Sequence, residues 1–307
     1  MGGKIICRVI TGPTASRKTE LSVQLALEMG WEILCMDSMQ IYRRMNIGTA
    51  KPRPEEMHGV RHHLMDICEP TDSFSVAAWR DRAEALVREL AREGKNALFV
   101  GGTGLYLRAM TQGMEMGAVP ANEELRRELK ELAEKPGGKE ILHSMLEKED
   151  PETAARLPPG DVRRAIRAIE VTRGTGVPFS RQRRREYTSP FEWRIVSTAM
   201  ERTRLYERIN QRVDHMIQEG LEEEVAGLLR EGVPADAQSM QGLGYKEMVP
   251  RVLGKCSLEE AAEAIRIGSR HYAKRQMTFL RREENVHYVN VEEAGAAQEI
   301  RKVLECE

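Results

Sequence analysis

Eight residues near the N-terminus, GPTASRKT at positions 12–19, have the composition of a loop that holds phosphate. In the pattern G-x-x-x-x-G-K-[ST], consecutive backbone N–H groups and a helix N-terminus surround an anion. A lysine reaches its charge, and a hydroxyl group binds Mg²⁺. Lys18 and Thr19 supply these two groups, so Thr19 is the predicted metal ligand. The predicted phosphate-binding residues are Gly12, Pro13, Thr14, Ala15, Ser16, Arg17, Lys18 and Thr19. A plain strand-to-helix turn is the alternative interpretation.

Arg17 occupies the position at which this pattern has its second glycine. A glycine there usually marks a backbone with positive φ, where any other residue costs roughly 1–2 kcal/mol, or a point of close approach by phosphate oxygens. An arginine could obstruct the anion, but as a cation it could also turn outward to solvent. We expect the fold to survive and catalysis to be weakened.

Two further segments combine polar side chains with glycines. Asp37-Ser38-Met39-Gln40 follows the second predicted strand, and GGTGLY at 101–106 follows the fourth. Ligands of parallel α/β proteins bind at the carboxyl ends of the strands, so these segments and the phosphate loop should converge. Asp37 could act there as a metal ligand, a hydroxyl acceptor or a general base. In isolation, each segment could equally be an ordinary turn between a strand and a helix.

Strands and helices must position these loops, and the sequence indicates them by short β-branched runs that alternate with helical patterns. The predicted strands are 5–10, 32–37, 62–67, 96–101, 193–200 and 286–291, and the clearest helices are 18–29, 75–92 and 257–282. This alternation predicts an α/β fold, a P-loop NTPase-like parallel sheet flanked by helices. Charged, helix-favouring sequence predicts an all-helical insertion domain at 117–189. The core domain would then comprise 1–116 and 190–307.

Charge and cysteine usage narrow the class of protein. The 47 basic and 48 acidic residues give a net charge of −1, so attraction to nucleic acid must come from local clusters. Arginines concentrate at 161–186 and again at 266–282, although an isolated cluster is more often a solvated face. Five cysteines without C-x-x-C spacing argue against a zinc site or a disulfide framework, and a reducing cytoplasm fits best. Neither a signal sequence nor a membrane span is expected.

Seven segments in order give the sequence a specific resemblance. They are GPTAS-KT, DSMQIYRRMNIGTAKP, HHLMDICEP, GGTGLYLRAM, DVRRAIRAIEVTRGTGVP, QGLGYKEM and HYAKRQMTFLRR. Together they resemble the motif set of the tRNA dimethylallyltransferases, also called tRNA isopentenyltransferases, in the bacterial form. The resemblance extends over about residues 5–282, and members of this family have glycine where this chain has Arg17.

The resemblance implies a reaction. The loop would hold the diphosphate of dimethylallyl diphosphate with Mg²⁺, while N6 of the adenosine 3′ of the tRNA anticodon attacks the allylic carbon. Asp37 would remove the amine proton, and Lys18 and Thr19 with its metal would hold the leaving diphosphate. The residues expected to contact tRNA are Asp37, Ser38, Met39, Gln40, Thr103, Arg163, Arg164, Arg167, Lys274 and Arg275.

Other functions stay open at this point. An adenylate isopentenyltransferase would act on free nucleotide, and a catalytically inactive tRNA-binding protein would keep only the RNA surface. A P-loop kinase is a more distant alternative. The helical insertion and the basic segment at 161–173 favour tRNA, because a mononucleotide needs no such surface. We expect a cytoplasmic monomer whose partner is the anticodon stem-loop, with the role of Arg181 to Arg185 undecided.

Overall fold

The computed structural model describes residues 4–113, 119–182 and 187–305. Its sheet has six strands in the order β3-β2-β4-β1-β5-β6, and every neighbouring pair is parallel. The strands are β1 (Ile5–Thr11), β2 (Trp31–Cys35), β3 (His62–His63), β4 (Asn96–Val100), β5 (Phe191–Ala199) and β6 (Val286–Asn290). The predicted α/β class with a parallel sheet is confirmed.

Helices connect and cover these strands. They are α1 (Lys18–Met29), α2 (Pro54–Met57), α3 (Val76–Arg92), α4 (Gly104–Thr111), α5 (Glu123–Glu134), α6 (Gly138–Glu149), α7 (Pro151–Ala154), α8 (Val162–Thr175), α9 (Arg202–Gln218), α10 (Leu221–Arg230), α11 (Tyr245–Val252), α12 (Leu258–Leu280) and α13 (Ala296–Glu305). The chain divides into two units, one formed by Met1–Gly113 with Thr188–Glu307 and the other by Met114–Tyr187. No described helix has the length and apolar character needed to cross a membrane.

Both faces of the sheet are buried, as its parallel strands require. In β4, Phe99 belongs to one hydrophobic cluster and Leu98 to the other, because successive side chains point to opposite faces. Trp79 of α3 packs fully buried in the first cluster and stacks on Tyr106 with ring centroids 4.2 Å apart. Its indole N–H donates to the Cys35 carbonyl at 3.2 Å. The core thereby fixes the end of β2, from which the site loop departs.

The third strand is shorter than the sequence indicates. A strand was predicted over 62–67, but only His62–His63 pairs with β2. Leu64 and Asp66 adopt positive φ values of 63° and 53°, which a strand cannot accommodate. The prediction of a longer strand was therefore wrong, because the apolar run turns away to pack Leu64 into the core.

The second unit has a hydrophobic core of its own, formed by α5, α6, α7 and α8. Two buried carboxylates lie inside it. Glu170 accepts hydrogen bonds from the Asn122 backbone at 2.7 Å and from Arg126 and Arg167. Asp150 accepts from Thr153 and Ser180. Since an unpaired buried charge is costly, these bonds are a condition for the stability of the unit.

Candidate active site at the carboxyl ends of the strands

The phosphate loop lies between β1 and α1 and is held tightly against β5. Gly12 has φ of 138°, and a Cβ atom there would approach Thr198 Oγ1 to 2.2 Å, so only glycine fits. The Ser16 hydroxyl donates to the Pro13 carbonyl at 2.7 Å and lies 2.6 Å from the same Thr198 oxygen. The loop is therefore fixed by a hydrogen bond within itself and by one to β5.

Arg17 has the backbone conformation that a glycine would supply. Its φ of 63° and ψ of 15° are left-handed, so the first of the two reasons for a glycine at this position, a backbone with positive φ, applies here. Its guanidinium turns outward, where it donates to Glu20 at 3.0 and 2.6 Å and to the Val291 carbonyl at 3.3 Å. The Glu20 carboxylate holds the pKa of Arg17 above its usual range. The side chain consequently stands at the rim of the site and not over the loop.

A cavity of about 800 Å³ opens above the loop. The loop and α1 supply one wall, and α9 supplies the other with Arg208, Arg212 and His215. Lys18, Arg208 and Arg212 form no ion pair with any carboxylate in the described part of the chain. Three cations that form no ion pair within one cavity favour a multiply charged anion as its ligand.

Lys18 lines this cavity at the start of α1. Burial together with the charge of Arg212 lowers its pKa to about 7, and the charge of Asp37 opposes the change. Its ammonium donates to the Pro13 carbonyl at 2.6 Å, so it folds onto the loop. An anion placed beside it would favour the charged form and draw the ammonium toward itself.

Arg212 interacts with both the phosphate loop and Asp37, the carboxylate that follows β2. It donates to Thr14 Oγ1 at 3.3 Å, and burial lowers its pKa while the charge of Asp37 raises it. Sequence reasoning missed Arg208 and Arg212, which lie almost 200 residues from the loop. Their spacing with Arg204, at i, i+4 and i+8 on one helix face, is the signal that could have indicated them.

Asp37 and Thr103 lie together, as the convergence of the strand ends predicts. The Asp37 Oδ1 atom accepts the Met39 backbone N–H at 2.8 Å, and the Ser38 N–H donates to Thr103 Oγ1 at 3.0 Å. Tyr272 of α12 also contacts Thr103, and burial together with the charge of Asp37 raises the pKa of this phenol. This group can present a carboxylate and hydroxyls to an incoming polar substrate.

Gln276 joins the two halves of the site and was also missed. Its Oε1 accepts the Thr14 backbone N–H at 2.9 Å, and its Nε2 donates to the Gly102 carbonyl at 2.9 Å. A Cβ atom on Gly102 would lie 2.1 Å from that nitrogen, which explains the glycine. Gln40 has a comparable bridging role, since its side-chain amide donates to the Thr49 and Ala50 carbonyls at 3.2 Å.

The predicted RNA-binding cations differ in their availability. Arg163 is exposed, and Arg164 is 75% exposed with an ion pair to Asp161 at 3.2 Å. Lys274 and Arg275 are exposed on α12. Arg167 instead pairs with Glu170, so its guanidinium already serves the helical unit. Within the arginine-rich stretch, residues 183–185 lie outside the described residues.

The arrangement defines a class of protein: a P-loop-type α/β protein with a phosphate loop after β1 and a carboxylate, Asp37, after β2. The chain belongs to the IPP transferase family, whose model matches residues 40–283. The match begins beyond the phosphate loop, so the assignment does not depend on the segment that carries Arg17.

Individual relatives agree with this assignment. The chain is 46% identical over 284 residues to a tRNA dimethylallyltransferase of Geobacillus thermodenitrificans. The aligned region covers 92% of this chain and 90% of the relative. It is 46% identical over 298 residues to that of Desulforudis audaxviator, with 95% of each chain covered. The resemblance recognised in the motifs is confirmed.

Solved structures give the same result at the level of the fold. The tRNA isopentenylpyrophosphate transferase from Bacillus halodurans is 41% identical, with a TM-score of 0.73 over 98% of this chain and 95% of that one. A eukaryotic dimethylallyltransferase acting on tRNA has a TM-score of 0.79 at 24% identity, over 98% of this chain and 78% of its own. This second likeness concerns the fold alone.

Proposed function

We propose that this protein transfers a dimethylallyl group from dimethylallyl diphosphate to N6 of the adenosine 3′ of the anticodon in tRNA, with release of diphosphate. The observation that carries the proposal is the juxtaposition, in a member of this family, of an anion cavity with the Asp37 carboxylate. Lys18 and Arg212 are both coupled electrostatically to Asp37. A prenyl diphosphate held by these cations would place its reactive carbon near a proton acceptor.

The phosphate loop and α9 bind the prenyl donor and stabilise its leaving group. The allylic C–O bond breaks, and its electron pair leaves with the diphosphate, whose growing charge needs fixed donors. The N-terminus of α1, Lys18 and Arg212 supply them. Hydrogen bonds position the loop and Arg212 before the substrate arrives, and Lys18 turns from the Pro13 carbonyl toward the departing charge.

A magnesium ion fits this half of the site. Thr19 is exposed to the cavity and offers a hydroxyl, a hard oxygen ligand of the kind Mg²⁺ prefers. Among the described residues, no group of three or more His, Cys, Asp or Glu side chains could hold a metal. Thr19 together with the substrate's phosphate oxygens would therefore hold the ion, which supplies charge neutralisation for the diphosphate when bound.

The loop after β2 binds and activates the acceptor, the adenosine amine. An exocyclic amine is a weak nucleophile, so a base must take its proton as the new C–N bond forms. Asp37 is that base, with one oxygen fixed by the Met39 N–H. Ser38, Gln40 and Thr103 line the approach of the adenosine, which must leave its stack in the anticodon loop to enter.

Each unit carries exposed cations that we propose for contact with RNA. Arg163 and Arg164 on the helical unit, and Lys274 and Arg275 on α12, are exposed and can meet phosphates, whose contacts dominate RNA affinity. We propose residues 117–189 as the tRNA-contacting domain and the anticodon stem-loop as the partner. We also propose that the protein works as a monomer in the cytoplasm.

Transfer of labelled dimethylallyl from its diphosphate tests the proposal. An anticodon stem-loop RNA and free AMP are offered as acceptors with Mg²⁺. We expect label on the RNA alone, and a loss of about 10²-fold or more in kcat for Asp37→Asn with unchanged RNA affinity. Asp81→Asn, at an exposed position of α3, is the matched control and should transfer normally. Label on AMP at a similar rate would favour the free-nucleotide enzyme, and RNA binding without any transfer would indicate an inactive binding protein.

A further inference from the structure

We infer that Glu224 of α10 is a positioning residue for the acceptor side of the reaction. It holds the backbone of residues 46–48, and this segment supports the turn that carries Asp37. The inference rests on the proposed function, because it assigns a role in placing the proton acceptor. It follows from four hydrogen bonds to one carboxylate and from the contacts that lead from there to the site.

The Glu224 carboxylate accepts hydrogen bonds from four donors, three of which belong to a distant part of the sequence. Its Oε2 accepts the backbone N–H groups of Asn46 and Ile47, each at 2.9 Å, and its Oε1 accepts that of Gly48 at 3.2 Å. The Tyr245 hydroxyl donates to the same Oε1 at 2.6 Å. Successive N–H groups that face one anion form a concave backbone site, and a carboxylate of the chain itself fills this one.

Tyr245 completes this support from α11. Its side chain is fully buried, and a Cβ atom on Gly48 would lie 2.5 Å from the ring, so the segment packs directly against it. Burial and the charge of Glu224 raise the pKa of the phenol well above its usual range. The hydroxyl therefore stays protonated and remains a donor to the carboxylate.

Residues 46–51 form one compact turn. The Ala50 N–H donates to the Ile47 carbonyl at 2.9 Å. The Lys51 N–H donates to the Asn46 carbonyl at 3.0 Å. Because these bonds join the two ends of the turn, displacement of one end also moves the other.

Hydrogen bonds lead from this turn to the loop after β2. The Thr49 and Ala50 carbonyls both accept the side-chain amide of Gln40 at 3.2 Å. The Gln40 Oε1 atom accepts the Cys35 thiol at 3.2 Å, at the end of β2. Gln40 thereby fixes the chain between Cys35 and itself, and Asp37 lies within that stretch.

The phosphate loop has separate support, from Thr198 and Gln276. A long hydrogen bond of 3.5 Å, from Arg212 to the Thr49 carbonyl, connects it to the turn. Loss of the Glu224 bonds should therefore displace the acceptor side much more than the donor side.

Hydrogen exchange of the free protein, followed by mass spectrometry, tests the support directly. Glu224→Gln keeps the size of the side chain but turns one acceptor into an amide donor that faces backbone N–H groups. We expect peptides covering 40–51 to exchange several-fold faster in this variant, while peptides covering 12–19 exchange as in the wild type. Glu223→Gln, at the exposed neighbouring position, is the matched control and should behave as the wild type in both.

Transfer kinetics test the consequence for the reaction. In Glu224→Gln we expect kcat to fall about 10-fold or more, because a misplacement of about 1 Å can cost about 10²-fold. The KM for dimethylallyl diphosphate and the RNA affinity should stay within about twofold of wild type. Tyr245→Phe keeps the ring against Gly48 and loses one of the four bonds, so it should show a smaller fall of the same kind.

Thermal melts show whether each variant is folded at the assay temperature, and Tyr245→Phe carries the test if Glu224→Gln is not. Equal exchange and equal kcat in Glu224→Gln and Glu223→Gln would overturn the inference. A rise in the KM for dimethylallyl diphosphate with unchanged kcat, or faster exchange with unchanged kcat, would overturn it as well. Failure of the wild type to transfer label would instead count against the proposed function.

Discussion

Glu20 accepts two of the three hydrogen bonds that the outward-turned Arg17 guanidinium donates, and it lies three residues farther along, in the first turn of α1. The side chains of this pair are 36% and 62% exposed, so its direct contribution to stability is small, about 0–1 kcal/mol. The pair is important because it fixes the direction in which the Arg17 side chain points. The carboxylate keeps a long cation from lying over the phosphate loop.

Arg17→Gly should change transfer little. Sequence alone led us to expect weakened catalysis, but the φ of 63° and the outward guanidinium show that Arg17 leaves the loop in the shape that a glycine would give. We expect kcat/KM for dimethylallyl diphosphate to stay within about threefold of wild type, since no loop donor is lost. A rise of about 10²-fold in the variant would show that Arg17 does impair the enzyme.

Glu20→Ala should release Arg17 toward the cavity. The freed guanidinium can then reach the bound anion, so inorganic diphosphate should bind several-fold more tightly. The same change made together with Arg17→Gly should have no such effect, and the double-mutant cycle isolates the coupling. If Glu20→Ala tightens binding equally in both backgrounds, a general loss of negative charge is responsible.

Binding of dimethylallyl diphosphate should take up a proton above neutral pH. The pKa of Lys18 is about 7 in the free protein, so at pH 8 the amine is mostly neutral, and an adjacent anion restores its charge. Titration calorimetry in two buffers of different ionisation enthalpy measures this uptake, which we expect to approach about one proton. Lys18→Met serves as the control and should show correspondingly less uptake. Equal uptake by both proteins would assign the proton to another group.

The same lysine should make stability depend on pH. Because its pKa is lowered on folding, the unfolded chain binds more protons between pH 7 and the ordinary lysine pKa of 10.5. The free energy of unfolding should therefore rise with pH in this window, relative to Lys18→Met. Below pH 7 the cost of burying the charged amine is fully present, so Lys18→Met should be the more stable protein there. Urea unfolding at pH 6 and pH 9 measures the difference.

Two neighbouring arginines of α8 should respond differently to neutralisation. Arg167→Gln removes one partner of the buried Glu170 and should destabilise the protein by about 1.5–3 kcal/mol, the usual worth of a hydrogen bond to a charged group, because Arg126 still pairs with this carboxylate. Arg163→Gln, at an exposed position, should leave stability unchanged and reduce the salt dependence of RNA affinity by about one unit of slope. Thermal melts and RNA titrations at several salt concentrations separate the two roles. The reverse pattern would contradict this division.

Local patterns were sufficient to predict much of this molecule. The alternation of strands and helices predicted the parallel sheet. The rule that ligands bind at the carboxyl ends of parallel strands predicted that the segments of Asp37 and Thr103 lie together. What could not be predicted depends on contacts between distant segments. The turn at Leu64, the bridge made by Gln276 and the internal role of Arg167 each depend on a partner that no local period reveals. Arg208 and Arg212 belong to the same group, although their helical spacing is visible.

The Gln276 side chain is hydrogen-bonded to both the phosphate loop and the loop after β4. One amide group holds the Thr14 N–H of the phosphate loop and the Gly102 carbonyl, next to Thr103 on the acceptor side. Neither loop can shift without straining this bond. A donor that settles into the first loop thus stiffens the second, and the RNA meets a surface whose entropy of ordering has already been lost. The two substrates should accordingly bind with positive cooperativity, although they share no contact.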